Sequence, residues 1–188
     1  LHWAAHQGHT AVITALVDAG AALEARADAG KWTPLHLAVQ QGHWWRREAI
    51  QALIEAGASL EAQTDSKATP LHVASREGHS AAIKVLVDAG AALEARADDE
   101  KTPLHVASRE GHTKAVKVLI EAGASLEAQA VGKWTSLHLA AEQGHTEVAV
   151  ALAEAGAALE VQADGGWTPL HWAAHQGHAA AVTALADA

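Results

Sequence analysis

Thr102-Pro103-Leu104-His105 is the stretch on which the fold of this chain turns. Its chemistry is that of a helix start. Thr102 can accept a backbone N–H as N-cap, Pro103 suits the first helical position, where a missing donor costs nothing, and Leu104 opens an apolar stripe. The same tetrapeptide stands at Thr33-Pro34-Leu35-His36, Thr69-Pro70-Leu71-His72 and Thr168-Pro169-Leu170-His171. Thr135-Ser136-Leu137-His138 is an altered copy, and Leu1-His2 is its tail. The leucines fall at 1, 35, 71, 104, 137 and 170, the last three intervals being 33 residues each. A fixed period of this kind predicts a stack of near-copies, not one compact core.

Two further marks keep the same register. Gly-His follows each tetrapeptide, at Gly8-His9, Gly42-His43, Gly78-His79, Gly111-His112, Gly144-His145 and Gly177-His178. An Ala-Gly-Ala then closes a second apolar run, at Gly20, Gly57, Gly90, Gly123 and Gly156. With the fourth copy as template, a first helix runs from Thr102 to about Glu110, with Leu104, Val106 and Ala107 inward. Gly111 ends it, because a free φ lets the chain reverse. Thr113 is placed to cap a second helix, whose Ala115, Val116, Leu119 and Ile120 keep helical spacing. Gly123 stops that helix, and residues 125–133 run out and back to the next start.

Taken together, these marks resemble the ankyrin repeat over essentially the full chain. The resemblance implies an all-α repeat protein: antiparallel helix pairs joined by β-hairpin loops and stacked into a curved solenoid that binds other macromolecules. The expected organisation is a single domain over residues 1–188, with helix pairs at about 1–19, 33–56, 69–89, 102–122, 135–155 and 168–188. The first repeat lacks its hairpin and the alanine-rich last helix has no polar outer face, so a fragment of a longer array is expected.

Departures from strict repetition carry their own expectations. A turn glycine is kept only as Gly166 and, one register away, Gly30; Lys67, Glu100 and Lys133 stand there otherwise, which predicts looser turns. The first hairpin is one residue longer than the third. Three residues are added between the helices of the second repeat, at Trp44-Trp45-Arg46. The chain contains no Asn, and Glu24, Glu61, Glu94, Glu127 and Glu160 stand where the resemblance leads one to expect it near the hairpin. A lost side-chain hydrogen bond at each hairpin is the expectation. A longer period alternates Ala-Leu-Glu-Ala-Arg, at Ala22 and Ala92, with Ser-Leu-Glu-Ala-Gln, at Ser59 and Ser125, as if repeats had been copied in pairs.

Bulk composition excludes several functions. A formal net charge of −9, from 22 acidic and 13 basic residues, argues against nucleic-acid binding. No apolar run reaches the ~20 residues that span a bilayer, so no membrane insertion is expected. With no cysteine there are neither disulfides nor thiolate zinc sites. There is no nucleophile elbow, phosphate loop or HExxH, so the chain is expected to be no enzyme and to need no cofactor. The isolated piece is expected to be monomeric, and family habit implies an intracellular, cytoplasmic setting.

The 14 histidines invite a metal reading, which their positions oppose. Six sit in Leu-His and six in Gly-His, where the resemblance gives them hydrogen bonds between helix start, hairpin and neighbouring repeat. His2, His6 and His9, like His171, His175 and His178, share a helical face, as metal ligands often do. Two of each three are framework positions, however, and a glycine ends the helix before the third. No metal site is expected.

What varies between repeats is the candidate partner surface. The resemblance implies that hairpin tips and first-helix ends line a concave face. The residue before each start is Trp32, Ala68, Lys101, Trp134 and Trp167; the pair before Gly-His includes Arg76-Glu77 and Arg109-Glu110. Trp and Arg anchor protein interfaces well, because they bury much area at modest entropic cost. The central repeats thus offer Arg76, Glu77, Lys101, Arg109 and Glu110 between tryptophan-bearing tips. Trp134 and Trp167 either anchor a partner or pack on a neighbouring hairpin, and the sequence favours neither. Trp44 and Trp45, followed by Arg46 and Arg47, read as a second contact site. Trp3 and Trp172 read as core. The leading function is a non-enzymatic protein-binding scaffold, the alternative a spacer segment with no partner of its own.

Overall fold

The computed structural model describes residues 1–27, 30–41 and 47–188. Among them are twelve α-helices and no strand: α1 His2–Gln7, α2 Thr10–Asp18, α3 Pro34–Gln40, α4 Arg47–Glu55, α5 Pro70–Arg76, α6 Ser80–Asp88, α7 Pro103–Arg109, α8 Thr113–Glu121, α9 Ser136–Gln143, α10 Thr146–Glu154, α11 Pro169–His175 and α12 Ala179–Ala186. Each odd helix packs on the even helix after it across a short turn, so the pairs are antiparallel. Odd helices stack on odd and even on even, giving two helical layers and an all-α repeat fold. Leu35, Leu71, Leu104 and Leu137 form one buried ladder, and Leu53, Leu86, Leu119 and Leu152 form another. No described helix is long and apolar enough to cross a membrane.

The start motif works as its residues dictate, with a histidine added to the cap. Thr102 is extended (φ −87°, ψ 168°), and its Oγ1 accepts the backbone N–H of His105. His105 folds back, and its Nδ1 accepts the Thr102 backbone N–H at 3.2 Å. This is a capping box in which imidazole takes the place of Glu or Gln. The other ring nitrogen reaches the Trp134 carbonyl in the next hairpin at 3.0 Å. A carbonyl only accepts, so Nε2 carries the proton and the ring is neutral. His36, His72 and His138 repeat the arrangement on the carbonyls of Ala68, Lys101 and Trp167.

The second histidine set links first helices. Nε2 of His112 donates to the Arg76 carbonyl at 2.8 Å, and Nε2 of His145 to that of Arg109 at 3.0 Å. These rings lie over the preceding repeat's turn glycine. Gly111 takes φ +78°, and the backbone N–H groups of Gly111 and His112 donate to the carbonyls of Ser108 and Ala107, closing α7. Thr113 does not cap α8 as its type suggests. The N-cap is His112, without a side-chain cap, while Thr113 Oγ1 donates to Glu147 at 3.3 Å.

Each hairpin is closed by a backbone bond such as Ala97 N–H to Lys101 O at 3.0 Å, and among the described residues no strand ladder extends beyond it. The first closes from Ala27 to Trp32, one residue longer than the third. A looser turn is found at Glu100, where Lys101 N reaches Asp98 O only at 3.4 Å and no described bond joins Glu100 N to Ala97 O, but not at Lys67 or Lys133. Lys67 and Lys133 adopt φ of 55° and 60°, with inner turn bonds of 3.0 Å, equal to that of Gly166. The lysines accept a left-handed strain that Gly166 avoids.

Nor is a hydrogen bond lost at the hairpins for want of asparagine. The longer glutamate reaches the next repeat: Glu24 accepts from Ser59 N, Glu61 from Ala92 N, Glu94 from Ser125 N and Glu127 from Ala158 N, at 2.7–2.8 Å. The paired copying has a counterpart too. Arg26 Nη1 donates to the Gln63 carbonyl at 3.3 Å, and Arg96 Nη1 to that of Gln129 at 2.6 Å. No described bond of this kind leaves the Gln63 or Gln129 side chain.

Ser75 and Ser108 are fully buried in α5 and α7, and neither hydroxyl has a partner. The same register holds Ala5 and Ala141, equally buried. Ser75→Ala and Ser108→Ala are therefore each expected to stabilise the array by about 1 kcal/mol, from helix propensity plus the removed unpaired hydroxyl. Thermal melts of the two variants check this.

Candidate functional site

The short odd helices and the hairpins that precede them line one side of the stack. There the central repeats form two adjoining clefts. One, of about 230 Å³, is lined by Ser66, His72, Arg76, Asp98, Val106 and Glu110 among others. The next, of about 400 Å³, is lined by Ala130, Val131, Trp134, Leu139, Glu142 and Gln143. Asp99, Lys101 and Arg109 line both, so the two are continuous.

The charges inside are unequally paired. Lys101 Nζ lies 3.0 Å from Asp99, and the ammonium holds that carboxyl below the usual carboxylate range. Arg76 pairs with Glu77 at 3.1 Å and rests its guanidinium over Trp32, 5.8 Å from the ring centre. Gln143 donates to Glu142 at 3.1 Å. Arg109 is exposed and, among the described residues, its guanidinium has neither an ion pair nor a hydrogen bond. Its positive field still lowers the Asp99 pKa further.

Beyond the larger cleft the surface turns aromatic. Trp172, from α11, packs against both Trp134 and Trp167, with ring centres 4.6 and 4.7 Å away. His175 meets Trp167 edge-on at 5.1 Å. The three indoles are half-buried, and Trp172 Nε1 is enclosed without an acceptor. Ring contact therefore holds Trp172 there against the cost of an unpaired donor.

The sequence-based candidates divide accordingly. Arg76, Lys101, Arg109, Glu110 and Trp134 line the joined clefts, and Trp167 connects through Trp172. Glu77 serves mainly as partner to Arg76. Trp32 is half-buried beneath Arg76 and edge-on to His36, so it offers less free area than a tip residue suggests. Trp44, Trp45 and Arg46 lie outside the described residues.

Reading Trp3 and Trp172 as core was wrong for both. Trp3 is 78% exposed, and Trp172 forms the middle of the aromatic surface. The register after Leu-His points toward the hairpin tips, so its burial depends on what lies above it. Val73 there is 1% exposed and Leu139 6%, whereas Leu37 and Val106 in the same register are half-buried. Asp99, Leu139 and Trp172 are cleft or rim residues that sequence reasoning missed, whereas Glu142 and Gln143 are the variable pair before Gly144. Only the hydrophobic size of the Leu139 and Trp172 register signalled them.

The shared histidine faces do not converge on a metal. His2 Nε2 donates to the Trp32 carbonyl, His6 contacts Gln41, and His178 donates to the Glu142 carbonyl. Among the described residues, no three His, Asp or Glu side chains gather as ligands.

Comparison with known families agrees with this architecture. A family model described as ankyrin repeats (3 copies) matches residues 1–64, 45–130 and 126–188, which together span the chain. No curated protein matched the sequence.

Proposed function

This chain belongs to the ankyrin repeat family, whose members generally mediate protein–protein interaction, and from that premise we propose that it is a non-enzymatic scaffold gripping a protein partner along the side lined by odd helices and hairpin tips. The carrying observation is the run of half-buried tryptophans, Trp134, Trp172 and Trp167, continuous with a charged cleft of about 400 Å³. Such a surface matches the anatomy of binding hot spots, in which large aromatic and arginine side chains sit together and a polar rim excludes water. The site comprises Arg76, Lys101, Arg109, Glu110, Trp134, Trp167 and the added Trp172, with Trp32 and Glu77 at its far edge. In this reading residues 1–188 act as one domain, monomeric and intracellular, and neither metal nor cofactor takes part.

The test is a pull-down comparing the parent chain with a Trp134→Ala, Trp167→Ala, Arg109→Ala variant whose helicity is first checked by circular dichroism. Capture should fall by about tenfold or more, since two hot-spot residues commonly contribute over 1 kcal/mol each. Undiminished capture by a folded variant removes this reading.

A further inference from the structure

We propose that the larger cleft recognises a linear peptide segment carrying one carboxylate beside a large apolar side chain, with basic residues flanking the two. The inference rests on the scaffold reading and names the chemistry of its partner. Of the three cations that line the joined clefts, Arg76 is paired with Glu77 and Lys101 with Asp99. Arg109 alone is left without a described ion pair, at the boundary the two clefts share. A free guanidinium presents a planar fork that matches a carboxylate through two parallel hydrogen bonds.

The apolar side chain follows from what shares that cleft. Trp134 and Leu139 form wall, and Val131, 64% exposed, stands at the hairpin tip above. A leucine-sized or aromatic side chain next to the carboxylate would cover them together.

The flanks follow from charge. Asp98, Glu110 and Glu142 line the same surface without described ion pairs, and the chain carries a net charge of −9. A strongly acidic partner would be repelled by this field, whereas a single carboxylate between basic residues is attracted at both levels. Affinity would be modest, because a short segment buries little area and is ordered on binding.

Four capped hexapeptides serve as probes: Lys-Ala-Leu-Asp-Ala-Lys, the same sequence with Asn for Asp, the same with Glu for both Lys, and the same with Ala for Leu. Binding is read on the full chain from the indole N–H resonances of Trp134 and Trp172 in ¹H–¹⁵N spectra, assigned with Trp134→Phe and Trp172→Phe. The first peptide should shift them saturably, and each single-feature change should weaken binding, the Asn peptide by about tenfold. Arg109→Gln should abolish the preference for Asp over Asn while leaving the preference for Leu over Ala. Equal binding of the Asp and Asn peptides, an Asp preference that survives Arg109→Gln, or no shift with any peptide would overturn the proposal. If the peptides fail yet the triple variant loses partner capture, the scaffold reading stands and only this chemistry falls.

Discussion

Acidification should unfold this array, with the loss of stability concentrated below pH 6.5. His36 and His105 are enclosed at the helix starts, and burial lowers their pKa from 6.5 to about 4, against a smaller opposing effect of the carbonyls they bond. Arg26 near His36, and Arg96 and Lys101 near His105, push in the same direction as burial. His72 and His138 are lowered for the same main reason. In each, the ring nitrogen that would take the proton already accepts a backbone N–H and faces the threonine hydroxyl. A proton there sets donor against donor and breaks the capping box.

The sign follows from linkage. Between pH 6.5 and 4 the unfolded chain binds protons at these histidines and the folded chain does not, so stability falls as pH falls through that window. Above it both states are neutral and the contribution is complete. Each of His36 and His105 accounts for about 3 kcal/mol lost by the bottom of the window. Urea unfolding at a series of pH values measures the slope. In His105→Gln the slope should shrink by the share of one histidine, because Gln can occupy the same place in a capping box without titrating. A pH-independent midpoint across the window would contradict the prediction.

The second large effect is expected at Gly111. A Cβ built there would stand 2.6 Å from Nδ1 and Cε1 of His145, at a φ of +78°. Gly111→Ala meets a left-handed backbone cost of about 1–2 kcal/mol. It must also push His145 off the Arg109 carbonyl, losing a cross-repeat bond of about 1 kcal/mol. The sum is about 3 kcal/mol, a large fraction of a typical domain's stability. Gly177→Ala is the control, since Gly177 has the same φ of +78° with no atom within 4 Å of the added carbon. It should show only the backbone part. Denaturant unfolding of both variants separates strain from collision, and equal losses would refute the role given to the histidine ring.

The helix starts and aliphatic ladders were legible because local chemistry specifies them. Thr-Pro at a helix start and leucine at helical spacing have few other uses, and repetition multiplied the signal. What escaped was contact across repeats. That Glu94 reaches Ser125 N depends on side-chain length against the spacing of stacked hairpins, which no single repeat encodes. Trp172 was misplaced because the core stripe and the tip-facing stripe of a seven-residue helix lie side by side, and helical period alone does not separate them. Of the candidate site, Lys101, Arg109 and Trp134 were readable as variable positions. Their gathering into one cleft was not, since it requires knowing how far each tip leans.

The alternating arginines carry a mechanical consequence. Arg26 and Arg96 each fasten one hairpin to the following one, and the glutamines at the intervening positions fasten nothing forward. The glutamine seams are crossed instead by backbone bonds, Asp98 N–H to Ser66 O at 3.1 Å and Asp164 N–H to Gly132 O at 2.8 Å. Under tension applied from the two ends, every seam therefore has a fastening of its own, and the arginines add side-chain grip at alternate ones without leaving the others open.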